Sequence, residues 1–188
     1  ASPHDLLSAI DRLVFQYYGL DEGDVAIVED TVHHVVPAMQ PRRNAGLQSI
    51  WAPANSSQRA DYAAMLCKAL SLHFRMPVKA SLAARSTDVA VLKLTIGDHV
   101  ASYTEDSSGE FNDFLESIAS KLPIDLPGNV QLIPDLRLIV DRDMYLVKPT
   151  ALRHWLRSTA LADAEQIAAE FVAAAARRGQ EGVVHAGG

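Results

Sequence analysis

The sequence predicts an α+β fold: an N-terminal helical hairpin, then a small antiparallel sheet packed with helices, and a long C-terminal helix. Three observations carry this. Apolar residues recur at helical spacing at both ends of the chain, the period switches to two in the middle, and turn residues rather than helical crossovers separate the strand-like runs. The last point argues against a doubly wound parallel sheet. A chain of 188 residues suits one domain or two small ones. With 48% hydrophobic and 21% charged residues, wholesale disorder is excluded. No apolar run approaches the roughly 18 to 20 residues that span a bilayer, so no membrane partner is expected.

Residues 3–18 read as the first helix, with Ser2 and Pro3 at its start. Leu6, Leu7, Ile10, Leu13, Val14 and Tyr17 share one face, and Gly19 suits the stop. A second helix is predicted from Asp21, with Asp24 three residues on, to about Val36, because Pro37 follows. Residues 37–57 hold three prolines and no sustained period. A helix over 57–75 carries Ala63, Leu66, Cys67, Leu70 and Phe74 as its stripe. Val78, Ala80 and Leu82 then alternate with Lys79, Ser81 and Ala83, and Val89–Ile96 forms a stronger strand. A third strand, His99–Thr104, is expected after a Gly97-Asp98 turn. Glu110–Leu122 reads as a helix with Phe111, Phe114, Leu115 and Ile118 inward. Leu136–Val140 and Met144–Val147 flank a tight Asp141-Arg142-Asp143 hairpin, and Thr150–Arg178 is strongly helical, with Gly179 as a stop and a break expected near Ser158–Leu161. The implied organisation is a hairpin over 1–40, a linker over 41–57, an α+β domain over 58–179 and a flexible tail over 180–188.

The formal charge is −6, and residues 1–40 carry all of it: seven acids against Arg12 alone. The remainder is balanced. A general DNA-coating protein would be basic, so any nucleic-acid contact must come from a local patch. The single cysteine, Cys67, excludes an internal disulfide and a multi-cysteine zinc site. Together with a start lacking a signal-peptide pattern, it sets the expectation of a reducing cytoplasm.

The usual chemical signatures are missing. There is no glycine-rich dinucleotide or phosphate loop and no nucleophile elbow. Cys67 falls on the apolar stripe and reads as a buried structural thiol. His33 and His34 are adjacent, about 100° apart on a helix, so they do not converge on one metal. Pro134-Asp135 could open a metal-dependent nuclease motif, but no acid-x-Lys follows it. Glu105, Asp106, Glu110, Asp113 and Glu116 read as a helix start and a solvated face. Neither a cofactor nor a metal is expected. The segment Lys148 to Ser158 stands out, with three bases, one histidine and no acid. If helical, it would set Arg153 and Arg157 on one face and Lys148 at the start, an arrangement suited to DNA phosphates. Arg42 and Arg43 in the linker would extend the patch. Arg153 and Arg157 could instead pair with the acidic head, or with Asp141 and Asp143, and Arg42 and Arg43 could equally be plain solvated loop charges.

Residues 10–29, from Ile10-Asp11-Arg12-Leu13-Val14 through Tyr17-Tyr18-Gly19-Leu20 to Glu29, resemble a recurring ending of bacterial adenine-specific DNA methyltransferases of restriction-modification systems, notably the fused type IIG-like enzymes. That ending runs roughly I-D-x-L-V-Y-x-L-Y-G-L-T-x-x-E-I-x-x-I-E. A later stretch, Tyr145–Pro149 with Arg153–Asp163, resembles a C-terminal segment of similar defence proteins. The family's Asn/Asp-Pro-Pro-Tyr/Phe motif and its glycine-rich cofactor loop are missing here. The resemblance therefore implies a non-catalytic piece of such an enzyme, or a separate subunit derived from one, with Tyr17 to Leu20 as packing residues.

Three functions follow as expectations. The first is a non-catalytic accessory domain that positions a methyltransferase or restriction complex on DNA, with weak phosphate contacts from Lys148, Arg153, Arg157, Arg42 and Arg43. The second is a protein-interaction module without DNA contact, whose acidic hairpin takes a partner helix and whose last helix forms a homodimer through Ala168, Phe171, Val172 and Ala175. The third is an undetected nuclease-like enzyme with Asp135, Asp141, His154 and Lys148 in one pocket.

Overall fold

A computed structural model describes residues 3–40, 48–97, 103–104, 113–114, 116–117, 136–140 and 143–184. It divides into two units, Ala1–Ile50 and Trp51–Gly188, and the class is α+β as the sequence predicts. The first unit starts with α1 (Pro3–Tyr18). Gly19, at φ +66°, ends it. Its N–H donates to the Gln16 carbonyl at 3.1 Å and that of Leu20 to Phe15 at 3.0 Å. This pair of bonds satisfies two carbonyls that a helix end leaves open, and it needs the left-handed conformation glycine adopts without strain. Asp21 then caps α2 (Glu22–Asp30) through a reciprocal box with Asp24, at 2.9 and 3.2 Å.

The second helix does not stop before Pro37. A π-helical segment, Thr31–Val35, follows α2 and leads into α3 (Val36–Met39). A proline lacks the N–H its helical position would donate, and its ring crowds the carbonyl four residues back. Widening the turn relieves that crowding, and the Val36 N–H bonds back to the Thr31 carbonyl. The path thus continues where local rules predict an end.

In the second unit, α4 (Ser56–Phe74) starts from a box between Asn55 and Gln58, both bonds at 2.9 Å. Its expected stripe is real: Ala63, Leu66, Cys67 and Leu70 are buried, and Phe74 meets Phe171 edge-on with ring centres 5.0 Å apart. Burial pushes the Cys67 thiol up to about 12, because no neighbour compensates a thiolate there. A raised pKa means the folded chain holds this proton longer than the unfolded one. Cys67 therefore adds stability below pH 9.0 that is lost as the pH climbs toward about 12. We expect no reaction of the native chain with a disulfide reagent at pH 8, and one thiol released in denaturant; fast native labelling would contradict the burial.

The strands are β1 (Val78–Arg85), β2 (Val89–Ile96), β3 (Tyr103–Thr104), β4 (Arg137–Val140) and β5 (Asp143–Pro149). They form one sheet in the order β3-β1-β2-β5-β4. All pairs are antiparallel except β1 with β3, which is parallel. The expected small antiparallel sheet is thus present, with one parallel pair added at its β1 edge. Strand β5 occupies the second edge of β2, and β3 adds to the outer edge of β1, running parallel to it. Of the strand expected over 99–104, residues 103–104 are described. Asp113, Phe114, Glu116 and Ser117 are helical, within the helix expected there.

Alternation gives the sheet two working faces. Leu82, Leu92, Leu94, Leu146 and Lys148 lie on the face covered by α4 and α5 (Arg157–Val184). A bulge between Leu82 and Ala84 turns Ala84 to the other face, where it clusters with Val91, Tyr145 and Val147, against which Phe114 and Leu138 pack. There Asp143 accepts from Lys93 at 2.7 Å and from Thr95 at 2.6 Å, and the hydrogen bond to Asp143 raises the Lys93 pKa.

The C-terminal helix starts seven residues later than expected, at Arg157, and it runs past Gly179 to Val184. Its predecessor is a 3₁₀ turn, Leu152–His154. The break therefore lies before Ser158 rather than within Ser158–Leu161. No helix among the described residues is long and apolar enough to cross a membrane.

Candidate functional site

The site is built on a buried polar network. Lys148 lies on β5 among apolar residues and is 1% exposed. A cation there requires a partner, because desolvation strongly disfavours an isolated charge. Asp163, from α5, supplies it: Lys148 Nζ donates to Asp163 Oδ2. The Tyr62 hydroxyl, from α4, donates to the same oxygen at 2.6 Å, and the ammonium lies 4.6 Å from the Tyr62 ring centre. Three elements are thus tied together at one oxygen. Trp155 closes the cluster, 5.2 Å from Tyr62 and edge-on, with its indole Nε1 donating to the Pro149 carbonyl at 2.7 Å. Replacing Trp155 with Phe strips that carbonyl of its donor, and we expect a loss of about 1–3 kcal/mol in urea unfolding. An unchanged midpoint would show the bond to be dispensable.

This network anchors the segment that joins β5 to α5. Backbone bonds fix the rest of it. Thr150 N–H donates to the Asp88 carbonyl at 2.9 Å, and its hydroxyl to Thr87 at 2.8 Å. Residues 51–54 run beside it: Ala54 N–H donates to Thr150 at 2.8 Å, Leu152 N–H to Ala52 at 2.8 Å, and Pro53 bridges Ala151. Buried Arg59 holds the Ala54 carbonyl from α4. The stretch 51–55, expected as linker, is therefore a structural part of the second unit.

The pairing brings Trp51 against Arg153. The guanidinium carbon of Arg153 sits 4.1 Å from the Trp51 ring centre, and Trp51 is 64% exposed. Arg153 Nε donates to His154 Nε2 at 3.0 Å. Arg153 is itself exposed, while Arg157 is half-buried at the start of α5, whose first turn holds no acid. An indole plane and an exposed guanidinium are thus stacked a few residues before the acid-free start of α5, where the helix dipole is positive.

The expected site residues separate accordingly. Lys148 is corrected: it lies on a strand, buried and paired, so it presents no charge to a phosphate. Arg153 and Arg157 do not share a helix face either, because Arg153 belongs to the 3₁₀ turn and Arg157 to α5. The first turn of α5 is tied back to the 3₁₀ turn, since Thr159 Oγ1 donates to the Arg153 carbonyl at 3.0 Å. Arg42, Arg43, Asp135 and Asp141 lie outside the described residues. Of the four residues of the nuclease-like expectation, Lys148 lies inside the Tyr62–Asp163 network and His154 accepts from Arg153. No group of three or more His, Cys, Asp or Glu that could hold a metal occurs among the described residues. Of the dimer seam, Phe171 is engaged with Phe74, while Val172 is exposed.

Trp51 went unread in the sequence because it sits in a proline-rich stretch without period. Asp163 did leave a signal. It interrupts the face formed by Leu156, Ala160, Ala164 and Ile167, all buried, and an acid on such a face implies a buried donor. Compared with known protein families, characterised proteins and solved structures, the chain matches none.

Proposed function

We propose that the chain is a non-catalytic accessory module that contacts DNA, within a bacterial DNA-modification or restriction system. The single observation that carries the DNA contact is the exposed Trp51–Arg153 stack beside the acid-free start of α5. An exposed indole offers a face on which any base can stack, worth about 1–3 kcal/mol per base. The arginines give phosphate oxygens bidentate donors, and the helix start adds partial positive charge. Such contacts position a complex on DNA without reading much sequence. The methyltransferase-like ending over residues 10–29 supports the biological setting, and the lack of that family's catalytic motif supports an accessory role.

Trp51 and Trp155 are the two tryptophans, one exposed and one buried, so fluorescence separates them. Titration with a short oligothymidylate at low salt should quench part of the emission. In Trp51→Phe, where Trp155 is the remaining emitter, the quench should vanish. Emission that stays flat in the unmodified chain would contradict the stacking role.

A further inference from the structure

We propose that the exposed apolar stripe of α1 is a docking surface for a basic amphipathic helix of another protein. This inference stands apart from the DNA reading, since it concerns the first unit alone. Leu6, Ile10, Leu13 and Tyr17 are spaced four, three and four residues apart, the spacing of a helix–helix seam. All are open to solvent: Leu6 is 57%, Leu13 65% and Tyr17 85% exposed. Leu7 and Val14, also exposed, widen the stripe on one side. The seam's own spacing selects a helical occupant, because only a helix presents side chains that interdigitate at that repeat.

Charge selects the kind of helix. Residues 1–40 carry net −6, and Asp11, Glu22 and Asp24 are exposed on the two helices. A groove of about 830 Å³ within the same unit is lined by apolar Leu7, Phe15 and Val25, and its charged lining is Asp11 and Glu29 against one base, Arg12, with His33 beside them. A second copy would bring −6 against −6, and an anionic bilayer would likewise be repelled. A helix with leucines along one stripe and lysines or arginines beside it meets both the apolar seam and the acidic surroundings. Steered by charge, it would also find the hairpin quickly.

The test uses the full chain and two synthetic three-heptad peptides with leucine at the seam positions. One carries lysine at the flanking positions and the other glutamate. Fluorescence anisotropy should show the lysine peptide binding at roughly micromolar concentration and weakening with salt. The glutamate peptide should not bind. Leu13→Glu should weaken the lysine peptide at least about tenfold, whereas Leu72→Glu, at an exposed leucine of α4, should leave it unchanged. Equal binding of both peptides, or no binding of the lysine peptide, would overturn the proposal. So would self-association of the chain that Leu13→Glu abolishes, since the seam would then belong to a second copy. Stronger capture by phosphatidylglycerol vesicles than by the lysine peptide would overturn it in favour of a lipid surface.

Discussion

Lys148→Met should destabilise the second unit by about 3–5 kcal/mol, the range seen when one partner of a buried ion pair is removed. The reason is what stays behind. Asp163 keeps its carboxylate against the apolar faces of α4 and α5, with the Tyr62 hydroxyl as its remaining donor within the network. In a domain of this size that loss lowers the thermal midpoint by roughly 10 °C or more. The double variant Lys148→Met with Asp163→Leu should recover most of it, because two apolar groups can replace a buried pair at little cost. A single variant that unfolds like the unmodified chain would mean that water reaches the pair and that Lys148 is less enclosed than its 1% exposure states. Because the network anchors the segment from Pro149 to Leu156, the single variant should also loosen Arg153, and DNA binding should fall with it.

The larger effect on function is expected from Arg153→Glu combined with Arg157→Glu. Each change removes a donor to phosphate and adds a like charge. At about 1.5 kcal/mol or more per charged contact, DNA affinity should drop on the order of 100-fold. Thermal unfolding should move little, since Arg153 is exposed and Arg157 half-buried. Undiminished binding by a folded double variant would remove the DNA role from this surface.

Legibility in the sequence followed the range of the interaction. Gly19 and the Asp21–Asp24 box could be read because each is satisfied within a few residues, and local chemistry decides helix ends. The stripe of α4 and the alternation of β1 could be read for the same reason, since one-sided burial imposes a period, while β2 and the doubly buried β5 showed as apolar runs. Pro37 misled because a five-residue π segment absorbs it, and nothing nearby announces that widening. The parallel placement of β3 depends on which outer edge of the sheet it joins, a choice no local pattern records. Lys148 misled most. Its partner lies fifteen residues on, across the sheet face, so an acid-free local run looked like an available charge. Arg153 and Arg157 were singled out for a shared helix face that does not exist, because Arg153 belongs to a 3₁₀ turn and α5 starts only at Arg157. Trp51 met Arg153 through backbone pairing of 51–54 with 150–152, a long-range contact invisible from spacing.

The most direct measurement of the central proposal is the salt dependence of DNA binding by the full chain. Two arginine–phosphate contacts give a slope of about −2 in log affinity against log salt on duplex DNA. We predict that slope for the unmodified chain and one near zero for the Arg153→Glu/Arg157→Glu variant. Absence of binding even at low salt, or a slope that the variant leaves unchanged, would contradict a phosphate-contacting surface at the start of α5.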